Sequence, residues 1–302
     1  MAVPSPSLAA ELAPHFLETR SEPTEESSAG LTSQMQHRLD IVNFWALAPG
    51  SRVLELGCGQ GDTTIALAHA VGPSGHIDAV DPGSPDYGTP PLKDAQSHIL
   101  TTPLGARISF HHATATSYVE QYAGPAYDYI VLAHSLWYFE NPAVLPELLA
   151  ALSPHLSPNT RLCIAEWSLR ASSPASTPHV WTALLRALLE AKRPVPSAAN
   201  IRTVLSPSQV KNIVTSLSPL KLIREAIMPT NEGMQDGFWE VSYTLRKREA
   251  DIQRLVDTGV SDAERVQVEA YFDALQHAVD SLGEAGVEGV RSMDFWAAVF
   301  GP

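Results

Sequence analysis

Between Val53 and Asp62 the chain reads VLELGCGQGD: a short apolar run that passes through three alternate glycines into a helix-forming stretch. A four-residue strand-like run, a glycine turn and a helix start together spell a strand–turn–helix unit. Gly57, Gly59 and Gly61 permit a tight turn and let a ligand approach backbone where any Cβ would intrude. The first N–H groups of the following helix have no partner within it and are free to face that ligand.

The same alternation continues downstream. Strand-like runs recur at Val53–Leu56, His76–Val80, Arg107–His111, Asp128–Leu132 and Arg161–Glu166, with helical stretches at Asp62–Val71, Leu92–Leu100, Thr114–Gln121 and Pro142–Leu152 between them. Short strands separated by helices predict a parallel sheet covered on both faces, doubly wound through right-handed crossovers. The second half predicts helices over Pro178–Lys192, Ser206–Leu217, Phe238–Val256 and Asp262–Leu282, a strand at Lys221–Ile227 and a closing strand at Met293–Phe300. The expected architecture is therefore α/β, Rossmann-like: a mostly parallel seven-stranded sheet with N-terminal helices and a helical cap.

Ahead of the sheet, Leu31, Met35, Leu39, Val42 and Trp45 give one apolar helical face, with Ser33 and Gln36 as a capping box and Pro49-Gly50 as the stop. On this reading His37 and Arg38 lie on its solvated side. Residues 1–30, rich in Pro, Ser and Glu, read as a flexible arm, with a short helix over Leu8–Thr19 and a link at Ser21–Gly30. Residues 31–302 form the main domain, with cap insertions near 170–215 and 235–285.

The glycine spacing separates ligand classes. The pattern is G-x-G-x-G, and Asp62 stands where a dinucleotide fingerprint needs its last glycine. Glu55 adds a carboxylate two residues before the turn. A pyrophosphate would be repelled there and a cation attracted. Asp81 ends the second strand twenty residues after Gly61, a position suited to ribose hydroxyls.

A formal net charge of −13 argues against a nucleic-acid substrate, because phosphate neutralisation supplies most of such affinity. The densest basic run, RKREADIQR at Arg246–Arg254, reads as a solvated helix face. Two cysteines, Cys58 and Cys163, are too few for a disulfide framework and suit a reducing, cytoplasmic setting. The N-terminus lacks the pattern of a secretory signal, and no apolar run is long enough to span a membrane. The expected partner is a small molecule.

Four segments carry a resemblance: VLELGCGQGD, HIDAVDPG at His76–Gly83, YDYIVLAHSLWYF at Tyr127–Phe139, and LCIAEW at Leu162–Trp167. Together they resemble the class I S-adenosylmethionine-dependent methyltransferases, particularly the small-molecule type of fungal secondary metabolism. The likeness is good over about residues 31–170 and looser beyond. It implies S-adenosylmethionine as cofactor, with Glu55, Gly57, Gly59 and Gly61 near its methionine portion and Asp81 on its ribose. It also implies His134 and Ser135 at the border between methionine and acceptor.

Where the family often has an Asp for adenine, this chain has His111-His112-Ala113-Thr114, leaving Thr114 or a backbone group for that role. Trp137, Tyr138 and Trp167 are candidates to line the acceptor site, and His134 is the candidate general base. Ala133-His134-Ser135 lacks the carboxylates with which catechol-type relatives hold Mg²⁺. His111 and His112 point to opposite faces of a strand, so no metal is expected. The competing reading is a methyltransferase-like protein that binds the cofactor but promotes a rearrangement or cyclisation, or serves as a regulator. The missing acid near Thr114 and the size of the cap motivate it.

Overall fold

The computed structural model of the chain describes residues 7–17, 25–195 and 197–302. Seven strands form one sheet in the order β3-β2-β1-β4-β5-β7-β6. Their ranges are β1 Arg52–Leu56, β2 His76–Asp81, β3 Ile108–His112, β4 Tyr129–Ala133, β5 Arg161–Trp167, β6 Lys221–Met228 and β7 Phe295–Gly301. The first five strands pair in parallel, and β7 runs antiparallel between β5 and β6. Every strand expected from the sequence is present, with ends shifted by at most two residues.

The chain leaves β1 towards β2 and β3, but leaves β4 towards β5. Right-handed crossovers in opposite directions put the connecting helices on opposite faces of the sheet. Strand order therefore reverses between β1 and β4, and a crevice opens there at the carboxyl ends of the strands. Helix α3 (Asp62–Val71) follows β1, α4 (Leu92–Thr101) follows β2, α5 (Ala115–Gln121) follows β3 and α6 (Val144–Leu152) follows β4. Val53, Leu54, Ile77, Ile130, Val131, Cys163 and Ile164 are buried, as strands covered on both faces require.

Two N-terminal readings change. Helix α2 spans Glu25–Trp45, so Ser33 lies inside it and caps nothing; Gln36 donates to Asp40 one turn on instead. No breaker separates Glu25 from the apolar face, and Gly30 alone does not stop a helix. Within the expected flexible arm, α1 (Leu8–Leu12) buries Ala9 and Leu12 against α2. Residues 1–6 and 18–24 of that arm lie outside the described residues.

The second half holds a separate apolar cluster. Helices α7 (Thr177–Ala191), α9 (Asp236–Arg246), α10 (Arg248–Asp257) and α11 (Asp262–Asp280) contribute Leu185, Leu189, Val241, Leu255, Val268, Phe272, Leu275 and Val279. The helix expected over Phe238–Val256 is thus two, broken at Lys247 without Gly or Pro. The RKREADIQR stretch is not wholly solvated: Asp251 is buried and bonds Arg186 at 2.6 Å and Arg254 at 2.9 Å. Helix α8 (Pro207–Leu217), expected near the first cap insertion, packs instead on α6 and β6, with Val210 and Val214 in the main core. Its capping box, Ser206 with Gln209, is a purely local device.

Candidate active site

The crevice at the switch point collects the sequence-derived residues from four strand ends. After β1, the turn is built by backbone: the N–H groups of Gly57 and Cys58 both donate to the Val80 carbonyl. Gly57, Gly59 and Gly61 all have positive φ, which explains the residue type at each. A Cβ on Gly57 would lie 2.5 Å from Ser135 Cβ, and one on Gly61 2.6 Å from Ile99 Cδ1. Around a Cβ on Gly59 nothing lies within 4 Å, so this glycine fronts open space.

Asp81, at the end of β2, grips that turn. One carboxylate oxygen accepts from Gly59 N–H at 2.8 Å and the other from Gly83 N–H at 2.7 Å. Carboxylate oxygens carry further lone pairs, so this bracing leaves acceptor capacity.

Glu55 sits lower than its sequence position suggested. It is 1 % exposed, its carboxyl accepts from the Thr64 hydroxyl at 2.6 Å, and burial pushes its pKa up to about 8. Burial thus favours its neutral form, and the carboxylates nearest the turn's surface are those of Asp62 and Asp81. The attraction for a cation stands, but its source moves.

After β4, His134 has φ +49°, the left-handed region that a non-glycine residue occupies at a cost. Its N–H donates to the Ala165 carbonyl, which holds the strained turn against β5. His134 Nδ1 lies 3.2 Å from Glu166 Oε1, and its Nε2 lies 2.8 Å from Nε2 of His37. Both ring nitrogens are thus engaged. His134 is not free to act as a lone base.

Here the structure corrects the sequence most strongly. Helix α2 crosses over the crevice, leaving His37 at 0 % and Arg38 at 8 % exposure rather than solvated. The Arg38 Nε donates to Asp62 Oδ2 at 2.7 Å, while its Nη1 is buried with no partner. His37 stacks on Trp167, with rings 9° from parallel and centroids 5.7 Å apart, and takes the edge of Phe295 at 4.6 Å. Burial, then the neighbouring His134 and Arg38, holds the His37 imidazole well below its ordinary pKa, and burial does the same to His134.

The remaining expectations divide. Ser135 is buried beside Gly57, its hydroxyl without a partner. Trp167 lies against both His37 and His134. Trp137 is a core residue at 2 % exposure, anchoring the 202–203 backbone through its carbonyl. Tyr138 is 42 % exposed. Thr114 is spent as the N-cap of α5: its oxygen accepts from Ser117 N–H at 3.1 Å and its hydroxyl donates to Ser117 Oγ at 2.7 Å. Glu166 accepts from the backbone N–H groups of Leu136, Trp137 and Trp167. Burial still pushes its carboxyl up to about 7.

A family model described as a methyltransferase domain matches residues 31–212, more than half the chain. The chain belongs to the methyltransferase family. Methyltransferase phomM' of the fungus Diaporthe leptostromiformis is 27 % identical over 283 residues, covering 82 % of this chain and 72 % of the relative. A cyclopropane-fatty-acyl-phospholipid synthase-like protein from Lactobacillus casei superposes with a TM-score of 0.78 at 28 % identity, covering 97 % of this methyltransferase and 98 % of its partner in the comparison. The ubiquinone biosynthesis O-methyltransferase of Aromatoleum aromaticum is 29 % identical over a shorter stretch, 35 % of this chain and 41 % of that one. The cofactor of this methyltransferase is S-adenosylmethionine. The site fits it: an open space fronts Gly59, and unpartnered polar atoms of Ser135 and Arg38 stand at the two ends of the turn.

Proposed function

We propose that the protein transfers the methyl group of S-adenosylmethionine to a small-molecule acceptor of secondary metabolism, in a reducing cytoplasmic setting. The observation that carries this reading is Arg38 Nη1, a buried guanidinium nitrogen left without a partner beside the glycine turn. An unmet buried donor is costly, and the carboxylate of an amino-acid-like ligand satisfies it with a charge-assisted bond. Asp81, its oxygens held by the turn, takes the ribose hydroxyls; Gly59 admits the ligand against backbone; Ser135 borders the methionine portion. With Thr114 spent as a helix cap, adenine recognition falls to backbone groups after β3.

Bound S-adenosylmethionine supplies a methyl group on a leaving group that is already activated. The chain supplies geometry. Positioning of this kind contributes roughly 7–11 kcal/mol when the reacting atoms are held in near-attack contact. Helix α2 closes the crevice from above and excludes water, and Trp167 forms a flat wall beside it. The cap of α7 and α9–α11 sets the acceptor. The charge of −13 and the absence of a basic cluster support a small acceptor over nucleic acid. Among the described residues no helix is long and apolar enough to cross a membrane, and both cysteines are free.

Incubation with methyl-labelled cofactor and a panel of metabolites tests the reading. Label should move to an acceptor, with S-adenosylhomocysteine released. Tight cofactor binding with an acceptor converted to an isomer of unchanged mass would refute methyl transfer in favour of a rearrangement.

A further inference from the structure

A methylated acceptor that began as a hydroxyl or an N–H must lose a proton in each turnover, and His134, with both nitrogens engaged, cannot take it directly. The chain nevertheless contains a continuous path. Glu166 Oε1 meets His134 Nδ1 at 3.2 Å, and His134 Nε2 meets His37 Nε2 at 2.8 Å. The path ends at His37 Nδ1, a fully buried ring nitrogen with no partner. We propose that Glu166, His134 and His37 form a proton relay whose receiving end is His37 Nδ1, which commits the enzyme to acceptors that bring an O–H or N–H proton. This rests on the methyl-transfer reading above.

Two nitrogens 2.8 Å apart require that one donate and the other accept. With Glu166 ionised, His134 donates from Nδ1 and accepts at Nε2 from His37. The lone pair of His37 Nδ1 is then the unmet group. A donor hydrogen from the acceptor, direct or through one water, satisfies it.

The transfer balances. The acceptor atom bonds the methyl carbon as the carbon–sulfur bond breaks and its electron pair stays on sulfur. The acceptor proton goes to His37 Nδ1, the His37 Nε2 proton to His134 Nε2, and the His134 Nδ1 proton to Glu166. Both imidazoles stay neutral, each changing tautomer, and the carboxylate becomes a carboxylic acid. Once the product leaves, the three protons step back along the same path and the net proton departs to solvent from His37 Nδ1, which restores both tautomers and the carboxylate.

The surroundings are built for this. Three backbone N–H groups hold Glu166, Trp167 and Phe295 fix the His37 ring plane, and the strained backbone of His134 sets its ring between the two. Around it stand Arg38 from α2, Asp62 from α3 and His179 from α7. Arg38 and burial disfavour an imidazolium, and burial brings Glu166 to a pKa of about 7, where it can take up and release a proton. Glu166 and His134 act through His37 and are positioning residues.

Imidazole nitrogen NMR of the full chain with bound S-adenosylhomocysteine reads the relay without an acceptor, following protonation from about pH 5.5 to about pH 8.5. Contacts to Trp167 and Phe295 assign the His37 ring. His37 should carry its proton on Nε2 at high pH and on Nδ1 at low pH, with His134 switching in the reverse sense at the same midpoint. Glu166→Gln should abolish the switch. A single His37 tautomer throughout, an imidazolium on either ring, or a switch that persists in E166Q would overturn the relay. The wild-type titration decides even where E166Q does not fold. Calorimetry separates the two readings: cofactor binding without the switch removes only the relay, and absence of cofactor binding removes the function beneath it.

Discussion

Arg38 and Asp62 lie 24 positions apart and meet at 2.7 Å, the guanidinium from the helix that covers the crevice and the carboxylate from the first residue after the glycine turn. This ion pair closes α2 onto the cofactor loop. It leaves Nη1 of the guanidinium buried without a partner, the group proposed to meet the cofactor carboxylate.

Arg38→Ala should therefore weaken S-adenosylhomocysteine binding by roughly tenfold to a hundredfold, the value of one charge-assisted hydrogen bond. Isothermal calorimetry measures it. Lysine at the same position should recover only part, because a point charge cannot serve Asp62 and a ligand carboxylate as a fork does. Unchanged affinity in R38A would exclude the clamp.

The glycines of the turn should separate by phenotype. Gly57→Ala forces a Cβ to 2.5 Å from Ser135 and should destabilise the fold by about 1–3 kcal/mol beyond backbone strain. Gly59→Ala meets no protein atom and costs about 1–2 kcal/mol of left-handed strain, but its methyl enters the space proposed for the cofactor. Urea unfolding and calorimetry together should show stability lost chiefly in G57A and affinity lost chiefly in G59A.

Asp81→Ala removes the brace on Gly59 and Gly83 together with the proposed ribose acceptor. Affinity should fall at least about tenfold, with near-native circular dichroism. Equal affinity to wild type would remove the ribose role.

Glu55 makes binding depend on pH. Its folded pKa of about 8 exceeds the ordinary 4.5 because of burial. The stability it contributes is complete below pH 4.5 and is lost as pH rises through 8. A cationic ligand favours the ionised form, so affinity should rise with pH up to about 8 and then level. At pH 7 binding should release a proton, visible as a calorimetric enthalpy that varies with buffer. Glu55→Gln should lose that dependence and resist unfolding better than wild type above pH 8.

In the cap, Asp251→Ala strands Arg186 inside the α7–α11 cluster. Breaking one side of a buried pair costs about 3–5 kcal/mol, which denaturant titration should show. A loss under about 1 kcal/mol, the range of surface pairs, would mean that the pair is solvated in solution.

The strands, the glycine turn and the Asp81 position were legible in the sequence because each is a local pattern: a short strand-like run between helices, a chain of glycines, a carboxylate at a strand end. Even the family followed from such segments. Tertiary structure decided what the patterns were used for. Nothing local to His37 and Arg38 distinguishes a buried helix face from a solvated one; only the crossing of α2 over the β1–β4 crevice does. The Thr114 cap, three residues from Ser117, is itself a local device, but nothing local shows that Glu55 is sealed beneath the turn or that His134 lies between two partners. The partners of His134 lie 32 and 97 positions away, and contacts at that separation exist only once the sheet has brought its strand ends together.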